Sequence, residues 1–104
     1  MKKNVEKEIM IFKALSDNNR LQIIDMLSCG ELCACEMLKK LNITQPTLSH
    51  HMKTLIDSNL VTARKEANWM YYKLNKDIID ELTRYIKYIS SDKDDCICKK
   101  QLNI

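Results

Sequence analysis

Apolar residues at helical spacing open the chain and predict two consecutive helices. The stripe of helix one consists of Val5, Ile9, Phe12 and Leu15, at positions i, i+4, i+7 and i+10. Ser16 or Asp17 interrupts this helix and offers a side-chain cap for helix two. On helix two we expect core-facing Leu21, Ile24 and Leu27 and outward-facing Arg20 and Gln22. Gly30 then ends the helix, because glycine takes a positive φ without steric cost.

A second pair of helices follows, separated by a short turn. Residues 31–41 carry Met37, Leu38 and Leu41 at helical spacing and predict a short helix three. After the turn, Thr44 is a suitable N-cap, and Pro46 falls in the first helical turn, where its missing N–H does no harm. Helix four is therefore expected from Thr44 to Asp57, with an inward stripe of Leu48, Met52 and Leu55.

The pattern changes after Asn59. Residues 60–65 and 69–74 are β-prone, and the loop between them is expected to form a hairpin in which Asn68 takes a left-handed conformation. From Asp77, a final helix is predicted by the apolar positions Ile78, Ile79, Leu82, Ile86 and Ile89. This order of elements is typical of a winged helix-turn-helix domain, a mainly α fold in which helices three and four read DNA.

The composition fits a single domain over residues 1–104. A core of this size is small enough that a second copy would add much stability, so we expect a homodimer. One glycine and one proline leave little material for tight turns, which favours helices with no more than one β-hairpin. Seventeen Lys and Arg against fourteen Asp and Glu give a formal charge of +3, which permits nucleic-acid binding without requiring it.

Targeting signals are not apparent in the sequence. The basic start of residues 1–8 has no apolar run behind it, and no window approaches the roughly 20 apolar residues of a membrane span. We therefore expect a cytoplasmic protein without membrane contact, whose five cysteines are reduced thiols. The polar tail at residues 91–104 is expected to be flexible.

Two pairs of cysteines, the members of each pair separated by one residue, are the candidate ligands for an ion. The first is Cys33-Ala34-Cys35, just before the recognition helix, and the second is Cys96-Ile97-Cys98 in the tail. Thiolates favour soft ions such as arsenic(III), antimony(III), cadmium or zinc. Residues i and i+2 of a regular helix point about 200° apart, so the first pair can share an ion only if the start of helix three unwinds. A third sulfur would come from the tail pair or from Cys29.

Helix four and the hairpin carry side chains suited to double-stranded operator DNA. Hydrogen-bonding groups for base edges and nearby phosphates are Thr44, Gln45, Thr47, Ser49 and His50. Pro46 and His51 complete the helical set, and the phosphate contacts are assigned to Lys53, Arg64 and Lys65. The two-fold dimer, which we expect to bury Phe12, Ile79, Leu82 and Ile86, implies an inverted repeat with half-sites roughly 34 Å apart.

Three segments together resemble the ArsR/SmtB family of metal-responsive repressors. They are Phe12-Lys13-Ala14-Leu15-Ser16-Asp17 followed by Arg20, then Glu31-Leu32-Cys33-Ala34-Cys35-Glu36, then Ser49-His50-His51-Met52-Lys53-Thr54-Leu55. The second segment looks like the metal-binding box of arsenic(III) and cadmium/lead sensors. The resemblance implies a repressor, with no organic cofactor and no enzymatic activity, that releases its operator when a thiophilic ion binds.

Departures from the family pattern narrow the expected effector. Leu38 stands where arsenical-responsive members often carry a third cysteine, which leaves two thiols in the box. Residues 1–28 contain no cysteine to complete the four-thiolate site of the cadmium/lead sensors. The only histidines are His50 and His51, so the last helix lacks the ligands of the zinc sensors. Arsenic(III) or antimony(III) is therefore favoured.

Two other hypotheses stay open at this stage. Cysteines of the two pairs could join on oxidation, which would make the protein a thiol redox switch. A metallochaperone or thiol enzyme is disfavoured, because the sequence presents no Ser/His/Asp set, paired-carboxylate pocket, glycine-rich phosphate loop or Cys-His dyad.

Overall fold

The computed structural model, which describes residues 5–99, confirms the predicted winged helix-turn-helix fold. Its elements in chain order are α1 (Glu6–Leu15), α2 (Asn18–Leu27), β1 (Leu32–Cys33), α3 (Ala34–Lys40), α4 (Gln45–Asp57), β2 (Val61–Glu66), β3 (Trp69–Leu74) and α5 (Lys76–Ser90). A single 3₁₀ turn, Ile97–Lys99, follows α5. No helix among the described residues is both long enough and apolar enough to cross a membrane.

The sheet has three antiparallel strands in the order β1-β3-β2, so the expectation of a lone hairpin was wrong. The additional strand, β1, pairs Leu32 with Tyr72 and Cys33 with Tyr71. A two-residue strand has no alternation to detect in the sequence; it forms here because β3 offers an open edge to the chain that leaves α2. As a result, Cys33 is anchored directly to the wing, the hairpin formed by β2 and β3.

Local capping explains where the helices begin and end. Asp17 caps α2 by accepting the backbone N–H of Arg20 at 3.1 Å, and Thr44 caps α4 by accepting that of Thr47 at 3.4 Å. Pro46 lies in the first turn of α4, as predicted. Gly30 has a φ of +134° just after α2, which confirms its predicted role.

The buried faces of α1 and α2 differ from the predicted ones. Ile11 and Ala14 of α1 enter the core, whereas Ile9 and Phe12 stay exposed. On α2, Ile23 and Leu27 are buried and Leu21 is 53% exposed. Phe12 lies beside α5 instead, with the Phe12 and Tyr85 ring centroids 6.4 Å apart.

The core lies between the helices and the sheet. Its largest fully buried side chains are Ile23, Leu27, Met37, Leu48, Met52, Leu55, Leu60 and Val61. Leu82 of α5 is also buried within the protomer at 8% exposure, so the expectation that it contributes to a dimer surface was wrong. Five of these eight side chains come from α4 and from Leu60 and Val61, where β2 begins, so the recognition helix is packed firmly against the sheet.

The wing turns through Ala67 and Asn68, and the left-handed residue is Ala67 rather than the predicted Asn68. Glu66 pairs with Trp69, so only two residues form the loop. In such a loop, with a positive φ at the first position alone, glycine is the favoured residue there. Ala67 has a φ of 55°, which places its Cβ in an unfavourable position.

We therefore expect Ala67→Gly to raise the free energy of unfolding by about 0.5–1 kcal/mol, because it removes this steric penalty. Ala63→Gly is the matched control: Ala63 lies within β2, where glycine should lower stability by about 0.5–1 kcal/mol. Chemical denaturation of both variants measures the difference. An equal loss of stability in both would contradict the assignment of the left-handed position.

The first nine residues of the tail, 91–99, lie against the end of α5. Lys99 binds Asp92 at 2.9 Å, and the ammonium group of Lys93 lies 4.6 Å from the centre of the Tyr88 ring. The hydroxyl of Tyr88 donates a hydrogen bond to Asp95. The rest of the predicted flexible tail, residues 100–104, lies outside the described residues.

Candidate thiol site and nucleic-acid interface

Cys33 and Cys35 meet at the N-terminus of α3, which begins at Ala34 rather than at the predicted residue 31. Cys33 is the N-cap: its Sγ accepts the backbone N–H of Cys35 at 3.1 Å, and its own N–H donates to Glu36 at 3.0 Å. The expected 200° divergence does not apply, because Cys33 is in extended conformation outside the helix. The two sulfurs can therefore share a ligand without unwinding α3.

The structure holds this pair as a disulfide, contrary to the expectation that all thiols are free. Their Cα atoms are 5.3 Å apart. Cys33 is buried at 4% exposure and Cys35 is half-buried. Reduction by two electrons and two protons would give two adjacent thiols.

The other cysteines lie elsewhere. Cys29 is exposed next to Ser28, at the end of α2. Cys96 and Cys98 form a second pair, with their Sγ atoms 3.0 Å apart. The hydrogen bond between them lowers the pKa of Cys96 and raises that of Cys98. Within residues 5–99 of one chain, no three cysteine, histidine or carboxylate side chains are grouped to hold a metal ion, so neither predicted source places a third sulfur beside Cys33 and Cys35.

A continuous row of residues crosses the sheet from the thiol pair to the wing. Cys33 pairs with Tyr71 across β1 and β3, and Tyr71 pairs with Arg64 across β3 and β2. The Arg64 guanidinium lies 4.6 Å from the centre of the Tyr71 ring. It donates hydrogen bonds to both carboxylate oxygens of Glu31, at 2.8 and 2.9 Å, which lowers the pKa of Glu31. Cys33 is thus connected to the wing through paired strand residues and the Tyr71–Arg64 contact.

The structure places Arg64, which was predicted to contact phosphate, in ion pairs with two carboxylates. Its charge is neutralised by Glu31 and by a second carboxylate, Glu66. Arg64 holds the base of the wing to the segment that precedes the thiol pair. Lys65, the next residue, is exposed and remains the candidate phosphate contact on the wing.

Most of the predicted DNA-facing side chains are exposed along the first half of α4. These are Thr44, Gln45, Pro46, Thr47, Ser49 and His50. Lys53 is also exposed and forms an ion pair with Asp57 at 3.1 Å. This pair is on the surface, so it contributes little stability and can exchange for a phosphate.

His51 does not belong to this exposed set, which corrects the prediction. It is 7% exposed, and its Nδ1 lies 3.1 Å from Nη1 of Arg20. Since a guanidinium can only donate, Nδ1 accepts. Nε of Arg20 also donates to the carbonyl oxygen of Ala14 at 2.6 Å, so Arg20 points inward rather than to solvent. His51 follows Leu48 by three residues, so helical spacing puts it on the same inward face as Leu48. This spacing is the sequence signal that could have identified His51 as buried.

The two adjacent histidines therefore give a paired prediction. His51→Ala should lower the free energy of unfolding by about 1–3 kcal/mol, because it leaves a buried donor of Arg20 without its acceptor and opens a cavity. His50→Ala should change stability by less than about 0.5 kcal/mol and weaken DNA binding instead. Thermal unfolding and DNA titration separate the two effects. Equal stability of the two variants would contradict the internal role of His51.

A small cavity of about 180 Å³ adjoins Cys35. It is partly open to solvent and is lined by three parts of the fold: α3, the start of α4 and the turn of the wing. Its lining includes Cys35, Leu38, Gln45, Ser49, Trp69 and Met70. Cys35, the recognition helix and the wing thus line one cavity.

Comparison with known proteins gives consistent matches. Residues 17–63 match the profile of the family described as bacterial regulatory protein, arsR family. The arsenical resistance operon repressor of Staphylococcus aureus is 51% identical over 89 residues, which cover 86% of each chain. That of Staphylococcus xylosus is 49% identical over the same share of both chains. The solved structure of HlyU from Vibrio cholerae is similar at a TM-score of 0.71 and 32% identity, covering 86% of this chain and 98% of that one.

Proposed function

The chain belongs to the arsR family of bacterial regulatory proteins, and from this premise we propose how it acts as a DNA-binding transcriptional repressor that responds to arsenic. Its relatives are regulators and the chain is not an enzyme. We further propose that the effector is arsenic(III) or antimony(III) and that cysteine thiolates bind it. We also propose that the protein binds an inverted repeat as a dimer. Since the partner is DNA, we place the protein in the cytoplasm.

Cys33 and Cys35 bind the effector as thiolates. The observation that carries this proposal is their position: Cys33 is paired to the wing strand β3, and Cys35 lines a cavity shared with α4. Forming two sulfur bonds to one ion resets the distance between the two residues. Cys33 is paired to the wing and Cys35 lies across a cavity from α4, so both DNA-reading elements adjoin the site. If the ion favours the DNA-incompetent state by about 1–3 kcal/mol, operator affinity falls about 5- to 150-fold.

DNA binding uses the exposed half of α4 in the major groove. Gln45 is suited to the edge of adenine, and Thr44, Thr47, Ser49 and His50 to other base edges and nearby phosphates. Lys53 and Lys65 supply phosphate contacts. Because Arg64 is already bound by two carboxylates, we assign it to positioning the wing.

Two copies assemble through α1 and α5. Each protomer exposes an apolar surface, the α1/α5 face, made of Ile9, Phe12, Ile86 and Ile89, which are between 38% and 51% exposed. The two helices are joined at the edge of this face by the Lys7–Glu81 ion pair at 3.1 Å. A two-fold dimer covers this face and places two recognition helices on half-sites roughly 34 Å apart.

A second candidate, a thiol redox switch at the same site, is favoured by one observation. Cys33 and Cys35 are already joined as a disulfide in this structure. In that case a peroxide or diamide, which takes up two electrons from the dithiol, sets the DNA affinity without any metalloid.

Fluorescence anisotropy on a labelled duplex from upstream of the gene tests these proposals. The reduced protein is titrated onto DNA, and arsenite, antimonite, cadmium, zinc and diamide are then added separately. We expect release by arsenite and antimonite at near-stoichiometric concentrations, and DNA affinity that falls steeply with salt. Release by diamide alone would move the assignment to the redox switch, and release by cadmium or zinc alone would exclude the metalloid effector.

A further inference from the structure

The thiol site offers an arsenic(III) centre only two sulfur ligands from the described part of its own chain. Arsenic(III) forms three bonds, so its third bond points away from Cys33 and Cys35. Leu38 lies one helical turn after Cys35 on the same side of α3, because residues three apart on a helix are neighbours. The hydrocarbon side chain of Leu38 thus occupies a position from which a residue with a donor atom could have bound the arsenic.

The space next to Cys35 suits a small hydrocarbon group. The cavity there measures about 180 Å³, and its apolar lining includes Leu38, Trp69 and Met70. A closed apolar cavity of roughly 150 Å³ holds a benzene molecule. The volume here is therefore sufficient for a ring of that size, although this cavity is partly open and also contacts polar side chains of α4. Aromatic and thioether side chains such as Trp69 and Met70 also make favourable contacts with an aromatic ring.

We propose that the effector site selects trivalent arsenicals with one carbon substituent, and that the substituent occupies the cavity between Cys35, Leu38 and Trp69. This inference rests on the proposed thiolate site and names its ligand class. Two thiols displace two hydroxide ligands from R–As(OH)₂: two As–S bonds form, two As–O bonds break, and the thiol protons leave with the oxygens as two waters. Arsenic stays trivalent, and the As–C bond is retained.

The position of the substituent also couples binding to DNA release. Gln45 and Ser49 lie on the DNA-reading part of α4 and line the same cavity. Trp69, at the start of β3, lines it from the wing side. A group inserted there pushes directly on both elements, whereas arsenite acts only through its bonds to sulfur.

The test compares phenylarsine oxide with arsenite on the reduced full chain bound to its DNA. We expect phenylarsine oxide to release DNA at concentrations at least about tenfold lower, given the burial of its ring. Trp69 is the only tryptophan of the chain, so its fluorescence emission reports the cavity directly in the unmodified protein. We expect phenylarsine oxide to change this emission more than arsenite does.

Leu38→Phe is the matched variant, because it fills the cavity and leaves both cysteines in place. In this variant, phenylarsine oxide should no longer release DNA at a lower concentration than arsenite does. The arsenite concentration needed for release should change by no more than about twofold. Leu21→Phe, which alters an exposed position of α2, should leave both responses unchanged. If Leu38→Phe does not fold, the tryptophan emission of the unmodified protein decides alone.

The outcomes distinguish this inference from the proposed function. Release by arsenite without an advantage for phenylarsine oxide would overturn the inference and leave the thiolate site standing. An advantage that persists in Leu38→Phe, or release without a change in Trp69 emission, would also overturn it. If neither arsenical releases DNA, the proposed thiolate site itself is wrong.

Discussion

Exchanging Cys33 and Cys35 together for serine should abolish release of DNA by arsenite and leave DNA affinity within about twofold. Serine has no affinity for arsenic(III) comparable with that of a thiolate, so the 5- to 150-fold release estimated above disappears. DNA binding survives because Cys33 serves as the N-cap of α3, and serine is among the preferred N-cap residues. Anisotropy titrations with and without arsenite measure both properties.

The tail pair provides the matched control for this experiment. Cys96→Ser with Cys98→Ser removes two thiols that lie after α5, in a separate pair. We expect this variant to respond to arsenite as the unmodified chain does. A loss of response in the tail variant would instead assign it a ligand role, supplied across the dimer. A response that persists in the Cys33 and Cys35 variant would exclude the site at α3.

The sequence predicted the order of elements because each strong local signal was correct. Pro46, the caps at Asp17 and Thr44 and the single glycine at residue 30 depend only on neighbouring backbone groups, which a sequence displays directly. The register of α1 failed for a different reason. The most apolar stripe there, with Ile9 and Phe12, is exposed in the protomer, and a helix with two apolar stripes does not indicate which one faces its own core.

The site was predicted in its chemistry but not in its geometry. Cysteine spacing identified the thiol pair, yet the pairing of Cys33 with Tyr71 depends on an open strand edge that is more than thirty residues away in sequence. The ion pairs of Arg64 and the burial of His51 were missed for the same reason. Glu31 neutralises Arg64 and Arg20 holds His51, and both partners come from distant parts of the chain.

Replacing Ile86 with glutamate should break the proposed dimer and lower operator affinity by about 100-fold or more. Ile86 is 44% exposed in the protomer, so the change costs little folding stability there. In a dimer, the same residue is buried against a two-fold partner, and two unpaired carboxylates at that interface oppose association. Separate protomers lose the gain of binding two half-sites at once, which is typically worth a factor of 10²–10⁴. Light scattering and anisotropy measure the mass and the affinity.

Leu21→Glu is the control for this prediction, because Leu21 is an equally apolar and more exposed residue that lies on α2 rather than on the α1/α5 face. It should leave both the dimer and DNA binding unchanged. If Leu21→Glu separates the protomers and Ile86→Glu does not, the dimer forms through α2 and the exposed surface of α1 and α5 needs another partner. If Ile86→Glu yields a monomer that keeps full affinity, one recognition helix suffices and the inverted-repeat operator is wrong.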